Sequence, residues 1–297
     1  MLELEPSDWK EYELIDSGGF EKLEKFGEYV LRRPEPQAVW PKTLNEEEWD
    51  NLPQAWFKRL KGTDNSDNER GEWLQKSSMP GQWYVTYTYK EMRLKFRLGM
   101  TAFKHVGLFP EQASNWNYIY DHVVALGVDK PKVLNMFAYT GGASLAACAA
   151  GAEVTHVDSV KQVVTWSREN MEASALSDIR WIVEDALKYV QREVKRGKQY
   201  EGIILDPPAY GRGPEGEKWI LEEGIAPLLE ACSKLLNANC GFLILNLYSM
   251  GFSSLIAKNL LEHYFSSFSA IEYGELVVKQ HSGTHLPLSV FARISLK

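Results

Sequence analysis

Lys132-Val133-Leu134-Asn135-Met136-Phe137-Ala138-Tyr139-Thr140-Gly141-Gly142 is the stretch that decides the fold. Its first six residues are a short, mostly apolar run, which predicts a buried strand. Ser144 to Ala150 is Ala-rich and predicts a helix, with Gly151 placed to stop it. A tight glycine-bearing turn joins the two. The same alternation recurs downstream. Strands are predicted at 154–158, 179–183, 200–205 and 241–247, and helices at 160–173, 186–195, 219–236 and 253–264. Fully apolar strands alternating with helices imply a parallel sheet covered on both faces. Two last β-rich runs, 271–279 and 288–296, have only the loop His281 to Pro287 between them. They predict a hairpin that adds an antiparallel strand to the sheet.

Upstream of residue 131 the texture changes, and Trp, Pro, Gly and charges become frequent. The chain therefore divides into an N-terminal accessory region over 1–100, a connecting segment over 101–131 and the alternating region over 132–297. In the first, Phe20 to Leu31 predicts a helix ending at Arg32-Arg33-Pro34. Lys61 to Gly71 is a polar, breaker-rich loop. Trp83 to Leu98 predicts one or two strands. Within it Arg93, Lys95 and Arg97 alternate with apolar residues, so period two places the three cations on one face. That face either follows a phosphate backbone or is a solvated face that discourages strand aggregation.

The 297 residues are 44% hydrophobic and 25% charged, which excludes a disordered or fibrous chain. A net charge of −7 argues against wholesale coating of nucleic acid but leaves room for a local basic groove. No run is long and apolar enough to span a bilayer, and the acidic start MLELEPSDW is unlike a signal peptide, so a cytoplasmic setting is expected. Cys148, Cys232 and Cys240 are too few and too scattered for a disulfide framework, and the six His are dispersed, so no metal site is expected.

In an open parallel sheet, ligands bind at the carboxyl ends of the strands where the strand order reverses. Phe137 and Tyr139 stand where the dinucleotide fingerprint has glycines, and the phosphate-loop pattern is absent, so the ligand carries no pyrophosphate. Asp158 closes the second strand, about 20 residues after the turn, where a carboxylate accepts ribose hydroxyls. Asp185 follows the third strand as a helix N-cap, and Ala186 beside it can offer a backbone N–H to an adenine. Asp206 ends the fourth strand and precedes Pro207 and Pro208. Three acidic residues at the ends of successive strands, around one turn, predict a single shared site.

The ordered set Asn135–Gly142, Asp158, Asp185 and Asp206-Pro207-Pro208, with the entry segment Gly107-Leu108-Phe109-Pro110-Glu111-Gln112, resembles a class I S-adenosylmethionine (SAM) methyltransferase. Bacterial large-subunit (23S) ribosomal RNA methyltransferases are the subgroup it is most similar to. The resemblance runs from about residue 100 to the C-terminus. It implies a Rossmann-like α/β fold: a mostly parallel, seven-stranded sheet with a C-terminal antiparallel hairpin, here preceded by a smaller N-terminal β-rich α+β domain. It also implies that Asp158 holds the SAM ribose and that Asp185 and Ala186 face the adenine. Phe137, Tyr139, Thr140 and Gly141 would wrap the methionine part above Asn135, and Phe109 and Gln112 would close over the cofactor. Asp206, Pro207, Pro208 and Tyr210 would line the acceptor side. Aromatic faces and carboxylates suit a sulfonium cation.

Methylation of a pyrimidine carbon needs a cysteine nucleophile. Asn246-Leu247-Tyr248-Ser249-Met250, after the fifth strand, has none. Asp-Pro-Pro resembles the (Asp/Asn)-Pro-Pro-aromatic motif of enzymes that methylate base nitrogens, except that Ala209 holds the fourth place and Tyr210 follows. The expected function is methyl transfer to a base nitrogen of RNA, ribosomal RNA foremost, with Arg93, Lys95, Arg97 and Arg212 as RNA contacts. The alternatives are a methyltransferase for a small molecule or protein, and a SAM-binding module without catalysis.

Overall fold

The computed structural model describes all residues except 7–8, 60–69, 249–250, 269 and 296–297. Most of the polar loop 61–71 thus lies outside the described residues. The chain opens with β1 (Leu2–Leu4), then β2 (Tyr12–Gly18), β3 (Glu21–Phe26), β4 (Tyr29–Pro34), α1 (Glu46–Asn51), β5 (Ala55–Arg59), β6 (Gly71–Gln75), β7 (Gln82–Tyr89) and β8 (Met92–Gly99). A 3-10 turn, Pro110–Gln112, leads into α2 (Ala113–Ala125). The alternating region follows as β9 (Lys132–Met136), α3 (Gly142–Ala149), β10 (Glu153–Asp158), α4 (Lys161–Ala173), β11 (Ile179–Val183), α5 (Ala186–Lys195) and β12 (Gly202–Leu205). A small hairpin, β13 (Tyr210–Arg212) and β14 (Lys218–Ile220), precedes α6 (Leu221–Leu235), β15 (Phe242–Leu247), α7 (Ser254–Tyr264), β16 (Ala270–Lys279) and β17 (His285–Ser295).

The main sheet has the order β1-β16-β17-β15-β12-β9-β10-β11. Strands β11, β10, β9, β12 and β15 run parallel, and β17 is antiparallel to both β15 and β16. All seven expected strands are present, and β1 adds an eighth by pairing parallel to β16. The apolar runs face two ways because successive side chains of a strand point to opposite faces. Val133 and Ile204 join one core, with α2 and α3. Leu134, Met136, Ile203 and Leu205 join the other, with α5, α6 and α7. The first core continues without a break into Leu14, Phe26, Trp83 and Phe96 of the N-terminal region.

The helix expected over Phe20 to Leu31 is instead the antiparallel hairpin β3–β4. Lys22, Glu24 and Arg33 are buried there and Glu24 pairs with both cations, so tertiary packing overrides local propensity. Gly27, at φ 63°, makes the turn. Two smaller differences occur downstream. Trp219 belongs to β14 rather than to α6, and β17 starts inside the expected loop, at His285.

Strand β1 is held by close backbone approach. A Cβ at Gly274 would stand 1.8 Å from the Leu2 carbonyl oxygen. Gly274→Ala is therefore expected to push β1 off the sheet at a cost of about 1–3 kcal/mol. Faster proteolysis near the N-terminus and a lower melting temperature check this, and unchanged values would refute it.

Candidate active site

Strand order reverses between β9 and β12. The chain runs outward from β9 to β10 and β11, then returns to β12 and β15 on the other side. At that point a cavity opens over the carboxyl ends, lined by Asn135 of β9, the turn 137–143, Ile204 of β12 and Asp206 just after it, Asn246 of β15, and Leu108, Phe109, Gln112, Asn115 and Trp116 from the entry segment and α2. Eight sequence-predicted residues therefore meet here: Phe109, Gln112, Asn135, Phe137, Tyr139, Thr140, Gly141 and Asp206.

The turn keeps a glycine-like backbone without the glycines. Phe137, Tyr139 and Gly141 have φ of 55°, 47° and 92°. A left-handed conformation costs a non-glycine residue roughly 1–2 kcal/mol, so the surroundings must hold it. They do so through hydrogen bonds. The Tyr139 N–H donates to Asp158 Oδ2 at 2.9 Å, and the Tyr139 carbonyl accepts from Ser167 Oγ at 2.6 Å. The Thr140 carbonyl accepts from Asn170 Nδ2 at 3.0 Å, and Thr140 Oγ1 donates to the Gly107 carbonyl at 2.8 Å, tying the entry segment to the turn. Beneath, Asn135 donates to Ser144 Oγ at 2.9 Å, and Ser144 meets His156 Nδ1 at 3.0 Å. Burial pushes the His156 imidazole down to about 3, so it is a neutral strut. Phe137 stacks obliquely on Trp219 at 4.8 Å, and Phe109 packs against Tyr139 at 5.2 Å.

Asp158 does not line the cavity itself. Its two oxygens accept from Tyr139 N–H and Val160 N–H, each at 2.9 Å, and burial pushes its carboxyl above the ordinary range. Asp185 caps α5, accepting from Lys188 N–H at 2.9 Å, with Ala186 buried beside it. Asp158 ends β10 and Asp185 follows β11, so both lie at the carboxyl edge of the sheet, outside the cavity lining.

Asp206 is the unusual group. Its Oδ1 is buried without a hydrogen-bond partner among the described residues. Burial, then the charge of Glu111, push its carboxyl up to about 8. Glu111 is 2% exposed, and burial pushes its own carboxyl up to about 7, with the Lys22 ammonium opposing. Tyr248 OH donates to Glu111 Oε1 at 3.3 Å and accepts from Gln112 Nε2 at 2.7 Å. Gln112 Oε1 accepts from Asn115 Nδ2 at 2.7 Å, and Asn115 Oδ1 accepts from Arg293 Nε at 2.9 Å. Sequence reasoning missed Glu111, Asn115, Tyr248 and Arg293 as parts of this site. Only the position of Glu111 inside the quoted entry segment marked it.

The remaining candidates lie apart. Pro207 is buried and Pro208 exposed, and the Pro208 carbonyl accepts from Trp219 Nε1 at 2.8 Å. Tyr210 stands 51% exposed on β13, outside the cavity lining, and Arg212 is exposed at the same strand's end. Arg93 and Lys95 are exposed on β8. Arg97 is engaged: its Nε bonds Glu169 at 2.6 Å and its guanidinium covers Trp166 at 4.3 Å. The free edge of β8 is closed by side chains of α4 and its C-cap, with Lys95 N–H bonding Ser174 Oγ and Arg97 N–H bonding Asn170 Oδ1. None of the three cysteines lines the cavity. Among the described residues no His, Cys, Asp and Glu cluster could hold a metal ion, and no helix is long and apolar enough to cross a membrane.

This arrangement matches known proteins. A family model described as S-adenosylmethionine-dependent methyltransferase matches residues 63–253. The chain belongs to this family. It is 36% identical to the SAM-dependent methyltransferase from Agrobacterium tumefaciens, whose crystal structure superposes with a TM-score of 0.90 over 100% of this chain and 94% of that one. It is 33% identical over 159 residues, half of the chain, to ribosomal RNA large subunit methyltransferase K/L of Shewanella frigidimarina. It is also 33% identical over 128 residues to the same-named protein of Pseudoalteromonas translucida. These matches span only 21% and 17% of those two relatives.

The cavity fits SAM on its own chemistry. Aromatic rings line it and suit a sulfonium, and no cationic residue of the lining opposes that charge. When bound, SAM supplies an electrophilic methyl group. Asp158→Ala would remove both a carboxylate acceptor and the anchor of the Tyr139 backbone. It is expected to weaken S-adenosylhomocysteine binding by about 1.5–3 kcal/mol, roughly ten- to a hundredfold. Titration calorimetry reads this directly, and unchanged affinity would rule out the role.

Proposed function

We propose that the chain transfers the methyl group of SAM to a base nitrogen of RNA, with ribosomal RNA as the acceptor class. The observation that carries this reading is Asp206 Oδ1, buried and unpartnered where β12 meets the cavity. A structural carboxylate would have found a partner. An oxygen left open suits hydrogen bonds from an acceptor's amino group, and a module that only binds SAM has no use for it. The absence of a cysteine from the cavity lining favours direct attack by nitrogen over a covalent carbon adduct. The ribosomal RNA methyltransferase names of the partly matching relatives support the acceptor class.

Residues 1–100 are the substrate-facing accessory region in this reading, 101–131 the segment closing over the cofactor, and 132–297 the SAM-binding region. Asp158, Asp185 and Ala186 hold the adenosine part, Asp206 to Tyr210 receive the base, and the protein works in the cytoplasm. The test is tritiated-methyl transfer from SAM to total RNA from a strain lacking the gene, followed by nucleoside mass spectrometry. A labelled N-methyl nucleoside is expected. A label confined to protein or to small molecules would overturn the reading.

The exposed cations refine it. Lys95 lies 4.9 Å from the ring of Tyr84, which is 50% exposed, so β7 and β8 present cation and aromatic together. Arg97, paired with Glu169, is the weakest contact of the predicted set. Neutralising Arg93, Lys95 and Arg212 to Gln is expected to weaken RNA binding and lower the log–log salt slope by roughly 0.7–0.9 per lost phosphate contact. S-adenosylhomocysteine affinity should stay unchanged. An unaltered slope would return these residues to solvated surface.

A further inference from the structure

Arg293 is buried at 4% exposure on β17, outside the cavity lining. Its register partner on β15 is Ile244, and Asn246 follows two residues on, so all three point to the face that α2 covers. The rings of Tyr118 and Phe291 flank the guanidinium at 4.5 Å and 4.6 Å. Burial pushes it down to about 10, so it stays charged at neutral pH. Its carboxylate neighbour, Glu272, stands off at 3.7 Å with half of its side chain exposed. Two guanidinium nitrogens, Nε at 2.9 Å and Nη2, donate instead to one oxygen, Asn115 Oδ1. A guanidinium has donors only, so Asn115 must present its oxygen there and its NH2 on the other side.

That one choice propagates through the cavity wall. Asn115 Nδ2 donates to Gln112 Oε1 at 2.7 Å and to Asn246 Oδ1 at 2.8 Å, which orients both partner amides. Gln112 then turns its Nε2 to Tyr248 OH at 2.7 Å, and Asn246 turns its Nδ2 to Gln112 Oε1 at 3.3 Å. Each NH2 carries two hydrogens and uses one in these bonds, so Gln112 and Asn246 each keep a further N–H. Asn115, Gln112 and Asn246 all line the cavity, and no Lys or Arg does. SAM carries a carboxylate as well as a sulfonium. A cation in the lining would attract the first and repel the second. A cation one layer back, expressed through neutral amides, avoids that conflict.

We propose that Arg293 is a positioning residue for the cofactor: acting through Asn115, it fixes the N–H groups of Gln112 and Asn246 as donors to the carboxylate of SAM's methionine part. This rests on the reading that the adenosine part lies toward Asp158 and Asp185, outside this cavity, and it is independent of the acceptor.

The experiment is titration calorimetry of the full chain with two ligands. S-adenosylhomocysteine has the amino-acid part, and methylthioadenosine keeps the adenosine and the thioether but lacks it. Arg293→Met should weaken S-adenosylhomocysteine about ten- to a hundredfold, the scale of lost hydrogen bonds to a charged group, and leave methylthioadenosine within a few-fold. Arg293→Lys keeps a cationic donor beside Asn115 and should recover most of the affinity. An Arg293 that only supports the fold would move both ligands together. Asn115→Asp keeps a partner for Arg293, as an ion pair, but supplies no N–H to Gln112 and Asn246. It should show the same selective loss, and it decides the result where Arg293→Met does not fold. Equal losses for the two ligands, or unchanged S-adenosylhomocysteine affinity, would overturn the proposal. Asp158→Ala should instead weaken both ligands. If it spares both while Arg293→Met keeps its selective loss, the adenosine reading falls and the role of Arg293 stands.

Discussion

Asp206→Ala is expected to lower methyl transfer by about a hundredfold or more while S-adenosylhomocysteine affinity changes only a few-fold. Such a loss is the scale set by a reacting group held about 1 Å from its productive place. The split between turnover and affinity comes from geometry. The cofactor pocket is built mainly by the turn 137–143, whose backbone is tied to Asp158, Ser167, Asn170 and the entry segment, not to Asp206. In the proposed reaction Asp206 offers its unpartnered oxygen to the acceptor that enters beside the methyl group. Methyl transfer to RNA lacking the modification and calorimetry with S-adenosylhomocysteine measure the two halves. Parallel losses would make Asp206 a cofactor ligand, and near-normal turnover would remove it from the acceptor site.

The cofactor side of this centre is legible in the sequence because its parts are local. A strand end, a Gly-Gly turn and a carboxylate at each following strand end are short-range patterns, and the topology rule gathers them at the reversal between β9 and β12. Departure from glycine at 137 and 139 is also visible. That these residues nevertheless keep a left-handed backbone is not, since the stabilising contacts come from Asp158 and Ser167, 19 and 28 residues away. The acceptor side depends on longer reach. Tyr248 meets Glu111 across 137 residues and Arg293 meets Asn115 across 178. Glu111 in sequence is one acid in a short turn, and that turn packs on β16 and α2, with Tyr248 reaching Glu111 from after β15, which no local pattern encodes. The hairpin β3–β4 was hidden for a related reason. Its charged residues look solvated until Lys22, Glu24 and Arg33 are found facing one another.

That buried cluster sets the largest expected effect on stability. Glu24 is fully buried, Arg33 is 3% exposed, and Arg33 Nε donates to Glu24 Oε2 at 2.9 Å. Arg33 also donates to the Lys104 carbonyl at 3.1 Å, joining β4 to the segment that leads to Phe109 and Gln112. Burial pushes the Glu24 carboxyl up, but the charges of Arg33 and Lys22 and the hydrogen bonds from Arg33 and Tyr12 outweigh it and hold it below the ordinary range. A carboxyl depressed in this way lends stability above the ordinary glutamate range and loses it only as pH falls through its folded value. Arg33→Met keeps much of the side-chain volume and removes the cation, leaving Glu24 as a poorly compensated buried charge. The expected cost at pH 7.5 is about 3–5 kcal/mol. The same change lets Glu24 take up a proton more readily, so the gap to wild type should narrow as pH approaches 4. Adding Glu24→Gln to Arg33→Met should recover part of the loss, because the stranded charge is gone. Denaturant unfolding of the three proteins across this pH range measures all three effects. A gap that stays constant with pH, or a double variant no more stable than Arg33→Met alone, would mean that Arg33 acts by packing and by its bond to Lys104 rather than by neutralising Glu24.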